Sequence, residues 1–379
     1  MDKSQSELVN TDSRLGEVLG LVSRAPRVAV DLESNGFFRY HERVCLVQIA
    51  ASEPAFLIDP LAVKNVQPLG DLLGDGSVEK VFHSADYDIR SLDRDWGFHV
   101  ANLFDTSIAA AFVGSTQLGL QAVLQEHIGV ELEKHPKLQR SDWTRRPLSA
   151  EALDYAADDV LYLGRVRDVL ADRLKSLSRL DWVKEEFERL VKVRHTPRDR
   201  TSAVLSIKGS RTLDGRGLAV LASLFRFRER EASSLDRPLF KVIPDAALVH
   251  LATEPSVDLT IVKGLGRFGR SPASKDLKAA IAEGLKSQPV TRPKRVRTEE
   301  MLGPAERKRV GTRRKSLKAW RNQVGLRLGL DPGLLWPAAS LDRLARRPGS
   351  LDVELEAPEV RDWQRREFSE ELDGVLATI

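Results

Sequence analysis

The sequence predicts a layered α/β domain followed by two small all-α domains, and three features carry that prediction. Short apolar runs rich in β-branched residues occupy positions 27–61. Longer runs with helical spacing follow after Phe104. Past Pro197 only helical spacing remains, cut repeatedly by Pro and Gly. The length of 379 residues exceeds one ordinary core and calls for two or three units of about 100–200 residues each.

Taken in order, VAVDLES, RVCLVQIA and AFLIDP read as strands, because they are short, apolar and bounded by turn residues. KVFHSADYDIRSL then reads as a short strand turning into a helix. SIAAAFVG, LGLQAVLQEHIGV and SAEALDYAADDVLYLGRVRDVLADRLKSL have helical spacing, the last opened by Ser149 with Glu151 in its first turn. Strands first and helices after make residues 1–195 one α/β unit. LAVLASLFRFRERE, PDAALVHLAT and SKDLKAAIAEGL read as short helices of a second unit over 208–290. Residues 291–316 are poor in large apolar side chains; from Pro289 to Lys318, eleven basic residues face three acidic ones, so this stretch reads as an exposed basic linker that lets the last unit move. Amphipathic spacing returns over 317–379 as a third unit, whose outline suggests a divergent repeat of the second.

A hydrophobic content of 42% with 30% charged residues belongs to a soluble globular chain. No apolar run reaches the roughly 20 residues a bilayer requires, so no membrane partner is expected. The N-terminal MDKSQSELVN lacks the basic and apolar regions of a secretory signal, and the lone Cys45 excludes an intrachain disulfide. Both fit a cytoplasmic protein. The net charge of +4 conceals an asymmetry: residues 1–195 carry −7 and residues 196–379 carry +11. A basic half suits a polyanion and an acidic half suits divalent cations, against the plainer reading of solvated surfaces.

Asp31 and Glu33 lie two apart in VAVDLES, so on a strand they leave the same face. Two carboxylates on one buried face repel unless a cation lies between them; on an exposed edge strand they are merely solvated. Tyr155 stands four residues before Asp159, which places phenol and carboxylate on one helical face, next to Asp158. Asp88 in HSADYD competes with Asp86. Such pairs are common singly. Together they form the oxygen-rich set that phosphodiester hydrolysis by two divalent ions requires, with a tyrosine able to orient the attacking water.

Three motifs stand in order: DLE at 31–33, HSADYD at 83–88 and YAADD at 155–159, the last within SDWTRRPLSAEALDYAADDVLYL at 141–163. On these the chain resembles the tyrosine-bearing branch of the DEDD exonucleases, and within it the ribonuclease D family. That resemblance implies a ribonuclease H-like exonuclease domain, a mixed central sheet flanked by helices. It implies that Asp31, Glu33, Asp88 and Asp159 bind two divalent ions, Mg²⁺ or Mn²⁺, and that Tyr155 positions the water. The segment from Leu218 to Gly266 is similar to the HRDC module, and 317–379 resembles a second copy more weakly. Arg226, Arg228 and Arg230, with Lys208, Arg211 and Arg216, are then candidate phosphate contacts, or simply solvated helix faces.

The function so implied is removal of nucleotides from the 3′ end of RNA as nucleoside 5′-monophosphates, with transfer RNA precursors as the expected partner. A DNA 3′→5′ exonuclease and a non-catalytic nucleic-acid adaptor are the alternatives. GLGRFG at 264–269 has the spacing of a dinucleotide-binding motif but no βαβ frame, so it is read as a loop. The seven histidines show no zinc-ligand spacing, and His83 is placed at a strand end near the cleft. Phe37, Phe38 and Tyr40 are candidates either for stacking on a terminal base or for loop packing, and Arg145 and Arg146 either for substrate contacts or for the surface.

Overall fold

The computed structural model describes residues 5–133, 135–197, 199–292 and 302–379. Six strands, β1 (Ser6–Val9), β2 (Arg27–Ser34), β3 (Val44–Ala50), β4 (Ala55–Ile58), β5 (Glu79–Phe82) and β6 (Leu103–Asp105), form one mixed sheet in the order β1-β4-β3-β2-β5-β6. The antiparallel β2, β3 and β4 lie between parallel edges. Every residue of β3 and β4 is buried, so helices must cover both faces. The predicted α/β layer is therefore present.

The covering helices are α1 (Asp12–Val22), α2 (Gln67–Gly74), α3 (Asp86–Trp96), α4 (Thr106–Val113), α5 (Leu120–Ile128), α6 (Ala150–Leu161), α7 (Leu163–Ser176) and α8 (Leu180–Leu190). Ser149 caps α6 as expected, accepting the Ala152 N–H at 3.2 Å. The long helix read from the sequence is divided at Tyr162, which serves both as the C-cap of α6 and the N-cap of α7. Strands β1 and β6 escape a reading by periodicity because they hold only four and three residues and exist through pairing with distant β4 and β5.

The second unit holds α9 (Arg200–Ser206), α10 (Gly215–Leu235), α11 (Leu239–Val242), α12 (Asp245–Thr253), α13 (Arg267–Arg270) and α14 (Ser274–Lys286) around its own core, which includes Leu224, Phe227, Leu248 and Leu277. Helices α10 and α14 approach so closely that a Cβ at Gly284 would stand 2.5 Å from Val220 Cα. Within GLGRFG only the first three residues are loop; Arg267–Gly269 form the start of α13, and no βαβ unit surrounds them. This unit meets the sheet domain through the loop after β2: the Tyr40 hydroxyl donates to Glu229 at 2.7 Å, and the backbone N–H groups of Tyr40 and His41 both donate to Asp236 at 3.1 Å.

The third unit holds α15 (Pro304–Leu328), α16 (Pro332–Leu335), α17 (Ala338–Arg346), α18 (Leu351–Leu355) and α19 (Asp362–Ala377). It corrects the linker boundary: residues 304–316 are helix, and residues 293–301 lie outside the described ones. Arg, Lys and Ala form helix well, and Val310 and Leu317, two turns apart, bury enough of one side for α15 to dock. Arg313 bonds Glu306 at 2.9 Å and Arg314 bonds Asp342 at 2.7 Å.

The expected freedom of this last unit is corrected too, because its core is continuous with that of the sheet domain. Trp363 stacks on Trp182 at 4.7 Å. Glu185 accepts the N–H groups of Asp362 and Trp363 at 2.7 and 2.9 Å, capping α19 from the neighbouring domain. Buried Arg179 donates to Phe112 O at 2.8 Å and Leu328 O at 2.5 Å, tying the ends of α4 and α15 together. Among the described residues, no helix is long and apolar enough to cross a membrane.

Candidate active site

Alternation along β2 puts Asp31 and Glu33 on the face that also carries Leu46, Leu57 and, from α6, Ala152 and Ala156. Helix α6 lies across this face and brings Asp159 down onto it. Oxygen atoms of Asp31, Glu33 and Asp159 lie within 4.8 Å of one another. Tyr155 sits one turn before Asp159 on the same face of α6, close enough for that carboxylate's charge to act on its hydroxyl. Its ring is set by Trp143, 6.2 Å away, and by His135 at 6.3 Å.

Asp88 occupies the first turn of α3 and is buried, whereas Asp86 is exposed and bonded to Arg90 at 2.8 Å. Burial favours Asp88, whose charge acts on Asp31, although it is not one of the three carboxylates whose oxygens converge. The turn before α3 passes through Ser84 at φ +63°, and Asp105 holds it: its carboxylate accepts the N–H groups of Ser84 (3.2 Å) and Ala85 (2.8 Å) while capping α4 through Ser107 (2.8 Å) and Ile108 (3.1 Å). Asp158 stands outside the cluster, half-buried beside Asp154.

Burial raises the pKa of all four carboxylates, and charges nearby add to it. Asp31 is held well above the usual range by burial and by Asp88; Glu33 by burial and by Asp31, Asp159 and Asp88. Asp88 is pushed up to about 8 by burial and by Asp105 and Asp86, and Asp159 to about 8 by burial and Asp31. Tyr155 is raised as well, chiefly by burial. The charges acting on Asp31 and Glu33 are all negative, which is the electrostatic signature of a site for cations.

A second observation agrees. Gln48 pairs directly with Asp31 across β2 and β3, is fully buried, and neither Nε2 nor Oε1 has a hydrogen-bond partner. Partners on adjacent strands share a face, so a bare donor and acceptor stand at the carboxylates' side. Hydrated divalent cations would match both the surplus charge and the unmatched amide. The residues present fit such ions.

Other expectations divide. His83 follows β5; its Nδ1 meets Thr106 Oγ1 at 2.9 Å, and burial lowers its pKa. Phe38 lies under the Lys241 ammonium, and Tyr40 packs against the second unit, so neither is a free stacking surface; Phe37 is exposed. Arg146 is structural, forking onto Asp59 at 2.6 and 2.8 Å and donating to Cys45 O at 2.8 Å, while Arg145 is exposed. Arg228 is buried and bonds Ile243 O and Asp245, and Arg216 is turned onto the Leu285 and Ser287 carbonyls, so both are corrected as phosphate contacts. Arg226 pairs with Glu283 at 2.8 Å; Lys208, Arg211 and Arg230 remain exposed. Gln48 and Asp105 were missed. The signal for Gln48 is one polar residue inside the apolar run VCLVQIA, and for Asp105 the helix-capping pattern Asp-Thr-Ser.

A family model described as 3′-5′ exonuclease matches residues 6–175. The chain is 30% identical over 370 residues to a ribonuclease D of Granulibacter bethesdensis, covering 96% of this chain and 91% of that one. Its fold is similar to that of Escherichia coli RNase D, with a TM-score of 0.70 at 24% identity, covering 100% of this chain and 99% of that chain. It is also similar to the catalytic core of Trypanosoma brucei RRP6, with a TM-score of 0.66 at 26% identity over 75% of this chain and 81% of that one.

Proposed function

Because the chain belongs to the ribonuclease D family and is a 3′→5′ exoribonuclease, we propose that Asp31, Glu33, Asp88 and Asp159 hold two divalent ions, Mg²⁺ or Mn²⁺, and that its substrates are the 3′ tails of structured RNAs, transfer RNA precursors among them. Water adds to the terminal phosphorus and the bond to the preceding 3′-oxygen breaks. The products are a nucleoside 5′-monophosphate and an RNA one nucleotide shorter with a new 3′-hydroxyl. When bound, the ions supply charge neutralisation and a more acidic water. The chain's part is to position. Strand β2 fixes Asp31 and Glu33, Asp105 fixes the turn that presents Asp88, and α6 carries Asp159 with Tyr155 beside it, whose hydroxyl orients the attacking water.

The observation that carries this reading is the convergence of Asp31, Glu33 and Asp159 oxygens within 4.8 Å on the sheet face beneath α6. We take the second and third units as HRDC-like modules. The excess of basic residues past position 196 supports a role in gripping RNA upstream of its end. The test is degradation of a 5′-labelled RNA hairpin with a 3′ extension, and of its DNA counterpart, by wild type and Asp31→Ala in Mg²⁺ and in EDTA. A metal-dependent ladder from the 3′ end, stronger on RNA and lost in the variant, is expected. Equal shortening of DNA would make the sugar irrelevant, and intact RNA that is nevertheless bound would favour an adaptor.

A further inference from the structure

Among the described residues, the exposed large aromatic side chains are Phe37, Tyr87 and Phe240, at 57%, 50% and 55% exposure. They do not scatter. Tyr87 precedes Asp88, and its hydroxyl meets Ser34 Oγ at 2.9 Å, one residue beyond Glu33. Phe37 lies three residues past Ser34, in a loop closed by Asn35, whose side chain accepts the Arg43 N–H at 2.8 Å. That chain length keeps Phe37 Cα within about 11 Å of Ser34 Cα. Phe240 belongs to α11 of the second unit, yet Lys241 Nζ stands 4.1 Å from the Phe38 ring centre and 5.9 Å from that of Phe240. The two rings are thus no farther apart than the sum of those distances.

The acidic groups of this junction are engaged. Glu229 and Asp236 accept from Tyr40 and His41, Arg39 lies 3.6 Å from Asp236, and Glu42 accepts from Tyr87 and pairs with Arg94 at 3.2 Å. Exposed on this junction stand Phe37 and Phe240 together with the cations Lys241 and Arg237.

We propose that the strip from Tyr87 and Phe37 through Lys241 to Phe240 binds the unpaired nucleotides that precede the one being removed. Bases stack on Phe37 and Phe240, and Lys241 and Arg237 meet the phosphates between them. The proposal rests on the chain acting on RNA 3′ ends, and it adds the route by which the strand leaves the site. Alternating rings and cations suit a single strand, whose bases expose their faces, better than a duplex, whose bases stack on each other. The separation of the rings by charge also distinguishes the strip from a continuous apolar patch for a protein partner. The contacts are to ring faces and phosphates, so the strip tolerates any base sequence.

The test measures binding of 5′-labelled oligoadenylate RNAs of increasing length to the full chain in EDTA by fluorescence anisotropy, with 2-aminopurine moved stepwise from the 3′ end in a second series. Phe240→Ala is expected to weaken binding roughly tenfold for RNAs long enough to reach the second unit, with the loss growing with length, and to abolish the quenching of one upstream 2-aminopurine. Phe240→Trp should retain both. Lys241→Glu gives an independent reading, a weaker and less salt-dependent affinity for the longer RNAs. Unchanged affinities and quenching across these variants would overturn the strip. Wild type on the same RNAs in Mn²⁺ separates the two readings: if it shortens them while the variants bind as it does, only the strip fails, and if it shortens none, the functional reading fails first.

Discussion

Gln48 and Asp31 face each other across β2 and β3, one an amide with no hydrogen-bond partner, the other a half-buried carboxyl held well above its usual pKa. Leaving a buried polar group unmatched costs about 1–3 kcal/mol. Gln48→Leu is therefore expected to raise the melting temperature in EDTA and, because the amide would no longer meet water on ions held by Asp31, to lower Mn²⁺ affinity by roughly 10–100-fold. Calorimetric titration with Mn²⁺ decides it. An unchanged affinity would make Gln48 an imperfectly matched core residue and nothing more.

Asp31→Asn keeps the shape of the site and removes one of the mutually repelling charges. Activity should fall by about a thousandfold or more, since charge stabilisation by such ions is worth several kcal/mol. RNA binding should persist. In EDTA the variant should melt no lower than wild type. A variant that still degrades RNA at the wild-type rate would remove Asp31 from the chemistry.

The pH dependence of metal binding has a definite sign. Asp88 and Asp159 titrate near 8 instead of the usual 3.8 in the metal-free protein, so ions must displace protons there. Affinity for Mg²⁺ should rise as pH climbs from 6 to 8, with proton release seen as a dependence of the binding heat on the buffer's ionisation enthalpy. The same shifts make the metal-free fold bind protons that the unfolded chain has released. Their contribution to stability is thus full below about 3.8 and lost as pH rises through about 8. Saturating Mg²⁺ should reverse that loss. Buffer-independent heats would contradict it.

Tyr155→Phe removes a hydroxyl and leaves the ring between Trp143 and His135. A fall in kcat of about a hundredfold, with little change in KM or metal affinity, is expected if the hydroxyl orients water in the transition state. A rise in KM alone would assign it to substrate binding.

Trp363 joins the third unit to the sheet domain through its stack on Trp182, so Trp363→Ala should cost about 3–5 kcal/mol. Because the two share one core, the loss should appear in the main melting transition of the chain. Trypsin should spare the basic residues of 304–316 in wild type and cut them readily in the variant. Rapid cleavage there in wild type would restore the picture of a free linker.

Much of the candidate site was legible in the sequence because its residues are arranged by local geometry. A strand repeats every second residue, which put Asp31 and Glu33 on one face, and a helix repeats within a turn, which put Tyr155 beside Asp159. The Ser149 cap and the helical second half were legible for the same reason. What tertiary structure decided was which partner each group meets. Asp88 is buried where Asp105 turns the chain, while Asp86 finds Arg90 at the surface. Arg146 and Arg228 could have met phosphate, but Asp59 and Asp245, 87 and 17 residues away, claim them. The basic helix from Pro304 is too poor in apolar residues to announce itself, and it persists because Val310, Leu317 and Trp320 find a core that other segments built. Periodicity fixes the direction a side chain leaves the backbone. Burial, pairing and charge depend on residues that only folding brings within a few ångströms.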